Sequence, residues 1–246
     1  MKICVLGNSV GLRIRPPRSD RSEMTYAEAL ESKGYLVRNL SRAGVMLNEA
    51  FAFLEEELIT FFPDAVILHF GVVEVCYRQT FRWPNNQAIE NYYMNRIINR
   101  PYRFNTPFRT AYRFGLRAFN LATRRLAGLF NMKWQWLPTG RFIEVLSAIV
   151  QVVQKETGAA VIVVGINPCS ERVERQLEGT GDKIREANER MRSLCARMGP
   201  KVSYLDPCSF ITQDNYEAMV PDGIHFSSEG HRRLLVQLED QLSHLL

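Results

Sequence analysis

The 246 residues suffice for one α/β domain with a substantial core, and a hydrophobic fraction of 46% with 23% charged residues excludes a disordered, fibrous or collagen-like chain. No apolar run reaches the roughly 18 residues that a bilayer-spanning helix needs, and the short stretch after Lys2 breaks at Gly7, too soon for the core of a signal peptide. The net charge of +5 is local: between Glu90 and Glu144 there are ten arginines and lysines and no acidic residue, so the rest of the chain nets −5.

Taken in chain order, Lys2–Leu6 is a buried first strand, ended by the turn Gly7-Asn8-Ser9. Tyr26–Lys33 is helical with Gly34 as its stop. Tyr35–Leu40 is a second strand. Leu47–Phe62 has helical periodicity, with Leu47, Phe51, Leu54 and Leu58 on one face. Ala65–Phe70 is near-continuously apolar, as a strand covered on both faces should be. Phe142–Thr157 is an amphipathic helix with Gly158 as its C-cap. Ala160–Val164 is another buried strand, Asp182–Met198 a charged amphipathic helix, Val202–Leu205 a last strand and Ser228–Leu246 a closing helix. Strands alternating with helices predict a parallel sheet of five strands covered on both sides. Val72–Gly140 contains no clear strand and exceeds a normal connection. It reads as a basic, aromatic helical insertion within a single domain. The five cysteines are scattered without a C-x-x-C pair, which indicates neither a zinc site nor a disulfide framework and suits reduced thiols in a cytoplasm.

Three short segments carry chemistry, and each follows a predicted strand, at the end where parallel sheets bind ligands. Ser9 sits on the turn after the first strand, where free N–H groups can stabilise an oxyanion. A serine after Gly-Asn is also a common turn residue or cap. Asp222 and His225, in Pro221-Asp222-Gly223-Ile224-His225, have a spacing that lets the carboxylate reach one imidazole nitrogen while the other faces a nucleophile. A serine hydroxyl needs such a base near neutral pH. The bland reading is a turn-forming aspartate and a satisfied histidine. Gly44, after the second strand, allows a backbone N–H to approach a reacting oxygen, or is simply a loop glycine. His69, at the end of the third strand, reads first as a buried structural histidine.

Together, a GDS-like serine after the first strand, a glycine after the second and Asp-x-x-His before the last helix resemble the SGNH (GDSL-type) hydrolase family. The resemblance covers nearly the whole chain outside the insertion. It implies a flavodoxin-like three-layer α/β/α sandwich with a five-stranded parallel sheet, working without a metal or other cofactor. It also implies Ser9 as nucleophile, His225 as general base and then acid, Asp222 as the orienting carboxylate, and the N–H groups of Ser9 and Gly44 as oxyanion donors. Asn8, Gly71, Val73 and Glu74 are then expected to border the substrate. Two positions depart from the pattern. Asn8 replaces the aspartate of G-D-S, and Val73 stands where the G-x-N-D segment has its oxyanion asparagine. Valine donates no hydrogen bond, so Asn39, Asn48 and Asn167 are the candidates to replace it. Segments like Gly71-Val72-Val73-Glu74 resemble those of SGNH-like proteins tied to bacterial surface-polysaccharide synthesis. The resemblance therefore implies an esterase or O-acyltransferase acting on an acylated carbohydrate or similar ester. A lipid or thioester hydrolase, and a non-catalytic glycan- or partner-binding descendant, stay open as alternatives. No dinucleotide or P-loop fingerprint is present.

Arg13, Arg15, Arg18 and Arg21 follow the serine and suit bidentate recognition of carboxylate or phosphate. They point to an anionic or carrier-linked acyl donor, against the alternative of a solvated basic loop. The insertion fits a lid, a peripheral contact with an anionic membrane, or a partner surface. Nucleic-acid binding is disfavoured because the segment matches no known module.

Overall fold

The structure, a computed structural model, describes residues 1–13, 24–78, 122, 125–127, 129–130 and 132–245. Five strands, β1 (Lys2–Gly7), β2 (Leu36–Asn39), β3 (Ala65–His69), β4 (Ala160–Val164) and β5 (Val202–Leu205), form one sheet in the order β2-β1-β3-β4-β5. Every pairing is parallel, with Ile3 beside both Val37 and Ala65, and Ala65 beside Ala160. The helices are α1 (Tyr26–Ser32), α2 (Leu47–Phe61), α3 (Val72–Val75), α4 (Thr139–Thr157), α5 (Glu171–Gln176), α6 (Thr180–Arg197), α7 (Tyr216–Met219) and α8 (Ser228–Leu245).

Side chains alternate across a strand, and this alternation divides the core in two. Cys4, Leu6, Val66, Leu68, Val161 and Val163 face α2, α4 and α6, meeting Leu54, Leu58, Leu146, Ile149 and Met191. Ile3, Val5, Ala65, Ile67 and Ile162 face α1 and α8, meeting Leu30, Leu234 and Leu238. The result is the three-layer α/β/α sandwich with a five-stranded parallel sheet. β1, β3 and β4 are buried almost throughout, whereas the edge strand β2 is half exposed.

Helix ends follow their chemistry. Thr25 and Glu28 form a reciprocal capping box at α1, and Gly158 closes α4 in the left-handed conformation. On α2, Phe51 is 40% exposed and Ala50 is buried, so the inward stripe is Leu47, Ala50, Leu54 and Leu58. The expected stripe was one residue out, because positions three and four apart both fall near the same helix face. The short helices α3, α5 and α7 were not anticipated: each is six residues or fewer, below the length at which periodicity speaks.

Close contacts divide the chain into two compact units, Met1–Cys76 with Leu137–Leu246, and Tyr77–Trp136. Val72–Val75 and Thr139–Gly140 thus belong to the sheet-bearing unit, where the Leu137 N–H donates to the Glu74 carbonyl at 3.2 Å. In the second unit, Arg78 and Trp134 exchange backbone hydrogen bonds of 2.8 and 3.2 Å. The Trp134 and Trp136 rings there meet edge-on at 4.5 Å. Tyr92, Tyr93, Tyr102, Phe104, Phe108, Tyr112, Phe114 and Phe119 lie outside the described residues. Among the described residues, no helix is long and apolar enough to cross a membrane.

Candidate active site

The carboxyl end of β1 delivers Ser9. Asn8 caps the 3-10 turn Ser9–Gly11, its Oδ1 accepting from the Val10 N–H at 3.1 Å. The Asn8 side chain is fully buried. It was expected to touch substrate, but it is turned under the loop as a cap, because the tight turn leaves a donor that must be satisfied.

Ser9 meets the segment before α8. His225 Nε2 lies 2.9 Å from Ser9 Oγ, and His225 Nδ1 lies 2.7 Å from Asp222 Oδ2. Asp222 Oδ1 accepts from the N–H groups of Ile224 (3.0 Å) and His225 (2.7 Å). One carboxylate thus shapes the turn and holds the ring together. Partial burial pushes the Asp222 carboxyl up, but the hydrogen bonds from the His225 ring and the two N–H groups outweigh it and hold the group at about 2. The side chains of His225 and Asp222 are only 12% and 15% exposed.

Residues that sequence patterns did not single out as supports hold this turn in place. Asn167 Nδ2 donates to the Ile224 carbonyl (3.1 Å), Arg172 Nη2 to the Asp222 carbonyl (2.7 Å), and the Tyr216 hydroxyl to the Pro168 carbonyl (3.0 Å), with the Gly223 carbonyl 3.5 Å from the same oxygen. Asn188 grips both backbone groups of Ile166, at 2.8 and 2.9 Å, and so fixes the chain leading to Asn167. The readable signal was a cluster of polar residues just after β4, at the ligand-binding edge of the sheet.

Gly44 lies in the loop after β2 with φ of 74°, a left-handed conformation that favours glycine. The Arg42 N–H donates to the Gly7 carbonyl at 3.0 Å. Asn39 Oδ1 accepts from the Ser41 N–H at 3.0 Å, and its Nδ2 donates to the Gly11 carbonyl at 3.4 Å. These bonds lace the Gly44 loop to the Ser9 turn. Of the residues considered as replacements for the missing asparagine, Asn39 and Asn167 direct their amide nitrogens to the carbonyls of Gly11 and Ile224, and Asn48 is exposed on α2.

After β3, Val73 is half buried on α3, whereas Gly71 and Glu74 are buried. Glu74 Oε2 accepts from the Gly71 N–H (2.9 Å) and Oε1 from the Leu47 N–H (2.8 Å), the first residue of α2. The carboxylate ties two loops together and caps the positive end of a helix. Glu74 therefore serves the framework, not substrate contact as expected. Gly71 has φ of 119°, and a Cβ there would fall 2.6 Å from Ile166. Packing and turn geometry both require glycine at this position.

Arg13 is exposed and pairs with Glu28 at 2.8 Å, which binds it to the α1 cap. Arg15, Arg18 and Arg21 lie outside the described residues. Beneath the Ser9 turn, the His69 carbonyl accepts from the Asn8 N–H at 3.4 Å, and the His69 ring joins a buried group with Tyr26, Phe226 and His231. Its Nδ1 lies 3.3 Å from the Tyr26 hydroxyl. Burial, with a smaller contribution from His231, holds His69 down at about 3; burial also dominates for His231, held at about 4. Both histidines are neutral core residues. Among the described residues, no three His, Cys, Asp or Glu side chains converge as a metal site.

The fold and this arrangement define an SGNH-type hydrolase scaffold. Residues 5–233 match the profile of the GDSL-like Lipase/Acylhydrolase family, and the chain belongs to that family. A search of the curated proteins returns no match. Solved structures share the fold at low identity. A Mycobacterium smegmatis aryl esterase has a TM-score of 0.60 at 17% identity, covering 100% of this chain and 99% of that one. An acetyl xylan esterase, AlAXEase, scores 0.59 at 14%, covering 98% and 99%. A lipase/acylhydrolase from Enterococcus faecalis scores 0.59 at 14%, covering 98% and 94%.

Proposed function

We propose that the protein is a serine esterase or O-acyltransferase that works through an acyl-Ser9 intermediate on an acylated carbohydrate or similar ester. The observation that carries this reading is the continuous line Asp222–His225–Ser9, with contacts of 2.7 and 2.9 Å, both within hydrogen-bonding range. His225 Nε2 takes the Ser9 proton as Oγ attacks the ester carbonyl, while Asp222 stabilises the imidazolium. The N–H groups of Ser9 and Gly44 receive the oxyanion. The tetrahedral intermediate collapses, and the alcohol leaves with the proton from His225. Water, or the hydroxyl of an acceptor, then loses its proton to His225 and attacks the acyl-enzyme, which releases acid or a new ester and restores Ser9. Val73 supplies no third oxyanion donor, and one such donor is typically worth about 2.7–4 kcal/mol. This chain is therefore expected to turn over more slowly than an enzyme with a complete set.

An acetyl xylan esterase shares the fold, which makes acetylated carbohydrate the first substrate class to assay, with anionic and carrier-linked acyl donors beside it. The test of the nucleophile is intact-protein mass after a fluorophosphonate probe, for wild type, Ser9→Ala and His225→Ala. The expected result is a single adduct on wild type, none on Ser9→Ala and slow labelling of His225→Ala. A folded wild type that takes no adduct, and hydrolyses no activated ester, would overturn the reading.

A further inference from the structure

Most surface helices turn their apolar stripe inward and leave charge outside. Leu126, Leu129 and Phe130 of the second compact unit do the reverse. The Phe130 N–H donates to the Leu126 carbonyl at 3.3 Å, the i to i−4 bond of a helix. At 100° per residue, Leu126, Leu129 and Phe130 share one face, with Arg125 at its margin. That face is open: Leu126 is 47%, Leu129 80% and Phe130 71% exposed, with Met132 beside them at 40%. Ala127, at the other margin of that face, is fully buried. The small residue packs inward and the large apolar ones stand in solvent. A contiguous exposed patch of this kind marks an interaction surface.

The charge says what covers it. Within this unit the sequence from residue 91 to 136 contains no aspartate or glutamate and nine arginines and lysines, and Arg125 itself is exposed. A purely apolar partner site would not need such an excess, and an unbroken cationic segment repels a second copy of itself. Leucine and phenylalanine projecting beside arginine is the composition of a helix that lies in the plane of an anionic bilayer, its apolar face among the acyl chains and its cations at the headgroups. We propose that the 77–136 unit docks the protein onto anionic lipid surfaces through Leu126, Leu129 and Phe130.

The test is co-sedimentation of the full chain with vesicles of phosphatidylglycerol and phosphatidylcholine, and of phosphatidylcholine alone, at low and high salt. Wild type is expected to bind the anionic vesicles, to bind neutral ones far more weakly and to be released by salt. Leu129→Glu with Phe130→Glu is expected to lower the partition by about tenfold or more, with hydrolysis of a soluble activated ester unchanged. Should that variant lose thermal stability, Leu129→Ser alone, at the most exposed position, reads the same loss in smaller measure. Absence of binding to anionic vesicles at low salt would overturn the proposal, as would equal binding by wild type and the double variant. So would a wild-type dimer in solution that the double variant converts to monomer without vesicle binding, since a second copy would then be what covers the patch.

Discussion

Asp222 shows how much a single side chain is asked to do. Oδ1 holds the turn through two N–H groups and Oδ2 orients the His225 ring. Asp222→Asn separates these tasks. The amide oxygen can still accept from Ile224 and His225, so the loop should survive, with a lower melting temperature from the lost carboxylate charge. The amide nitrogen, however, faces His225 Nδ1 as a donor and favours the wrong tautomer. A fall of about 10⁴-fold in kcat is expected, measured on an activated ester beside a thermal melt. A variant that loses stability in proportion to activity would show that the carboxylate matters mainly as a cap.

At the scale of elements, the site depends on how the loops after β1, β2 and β3 are tied together. Glu74 is the tie between the start of α2 and the Gly71 turn. Glu74→Gln keeps the size but turns an amide NH₂ towards one of two buried N–H donors, leaving it unsatisfied at a cost of about 1–3 kcal/mol. Because α2 begins just beyond Gly44, loosening its first residue should also lower kcat more than it raises KM. Glu74→Asp, too short to reach both donors, should behave similarly. Urea unfolding and steady-state kinetics check this, and an unchanged kcat would confine Glu74 to stability. The long elements were legible in the sequence because each repeats its signal: β4 and β5 have the expected bounds and the main helices differ by a few residues. The pairing of Ser9, Asp222 and His225 was legible for another reason: the three segments together resemble the family, and that resemblance implied which loops meet. What stayed hidden was the engagement of individual polar side chains. Asn8 and Glu74 looked like substrate contacts because they flank the right loops. Burial, which decides that they serve backbone donors instead, depends on packing from distant elements that no local pattern reports.

For the whole molecule, the two buried histidines set the response to acid. His69 and His231 are held at about 3 and about 4, against 6.5 for an ordinary histidine. As the pH falls through 6.5 the unfolded chain takes up protons that the folded chain refuses. This contribution to stability is therefore complete above 6.5 and is lost progressively down to pH 3–4. Each such proton is worth about 1.4 kcal/mol per pH unit. The depressed Asp222 adds a loss of the same sign below 3.8. Urea midpoints should thus hold near pH 7.5 and decline from about pH 6.5 to 5, and a flat profile would mean that the histidines take up protons within the fold.

Ser9 and His225 stand 216 residues apart. During synthesis Ser9 leaves the ribosome long before His225, with four of the five strands and most helices made between them. On the proposed mechanism a nascent chain carries the hydroxyl but has nothing to withdraw its proton until His225 docks, so reactivity arrives in one late event. A chain that stalls or misfolds before that event is chemically silent as well as unstable. On that mechanism a serine-directed probe would count only molecules in which the two segments have met, and its labelling would report folding rather than the amount of polypeptide made.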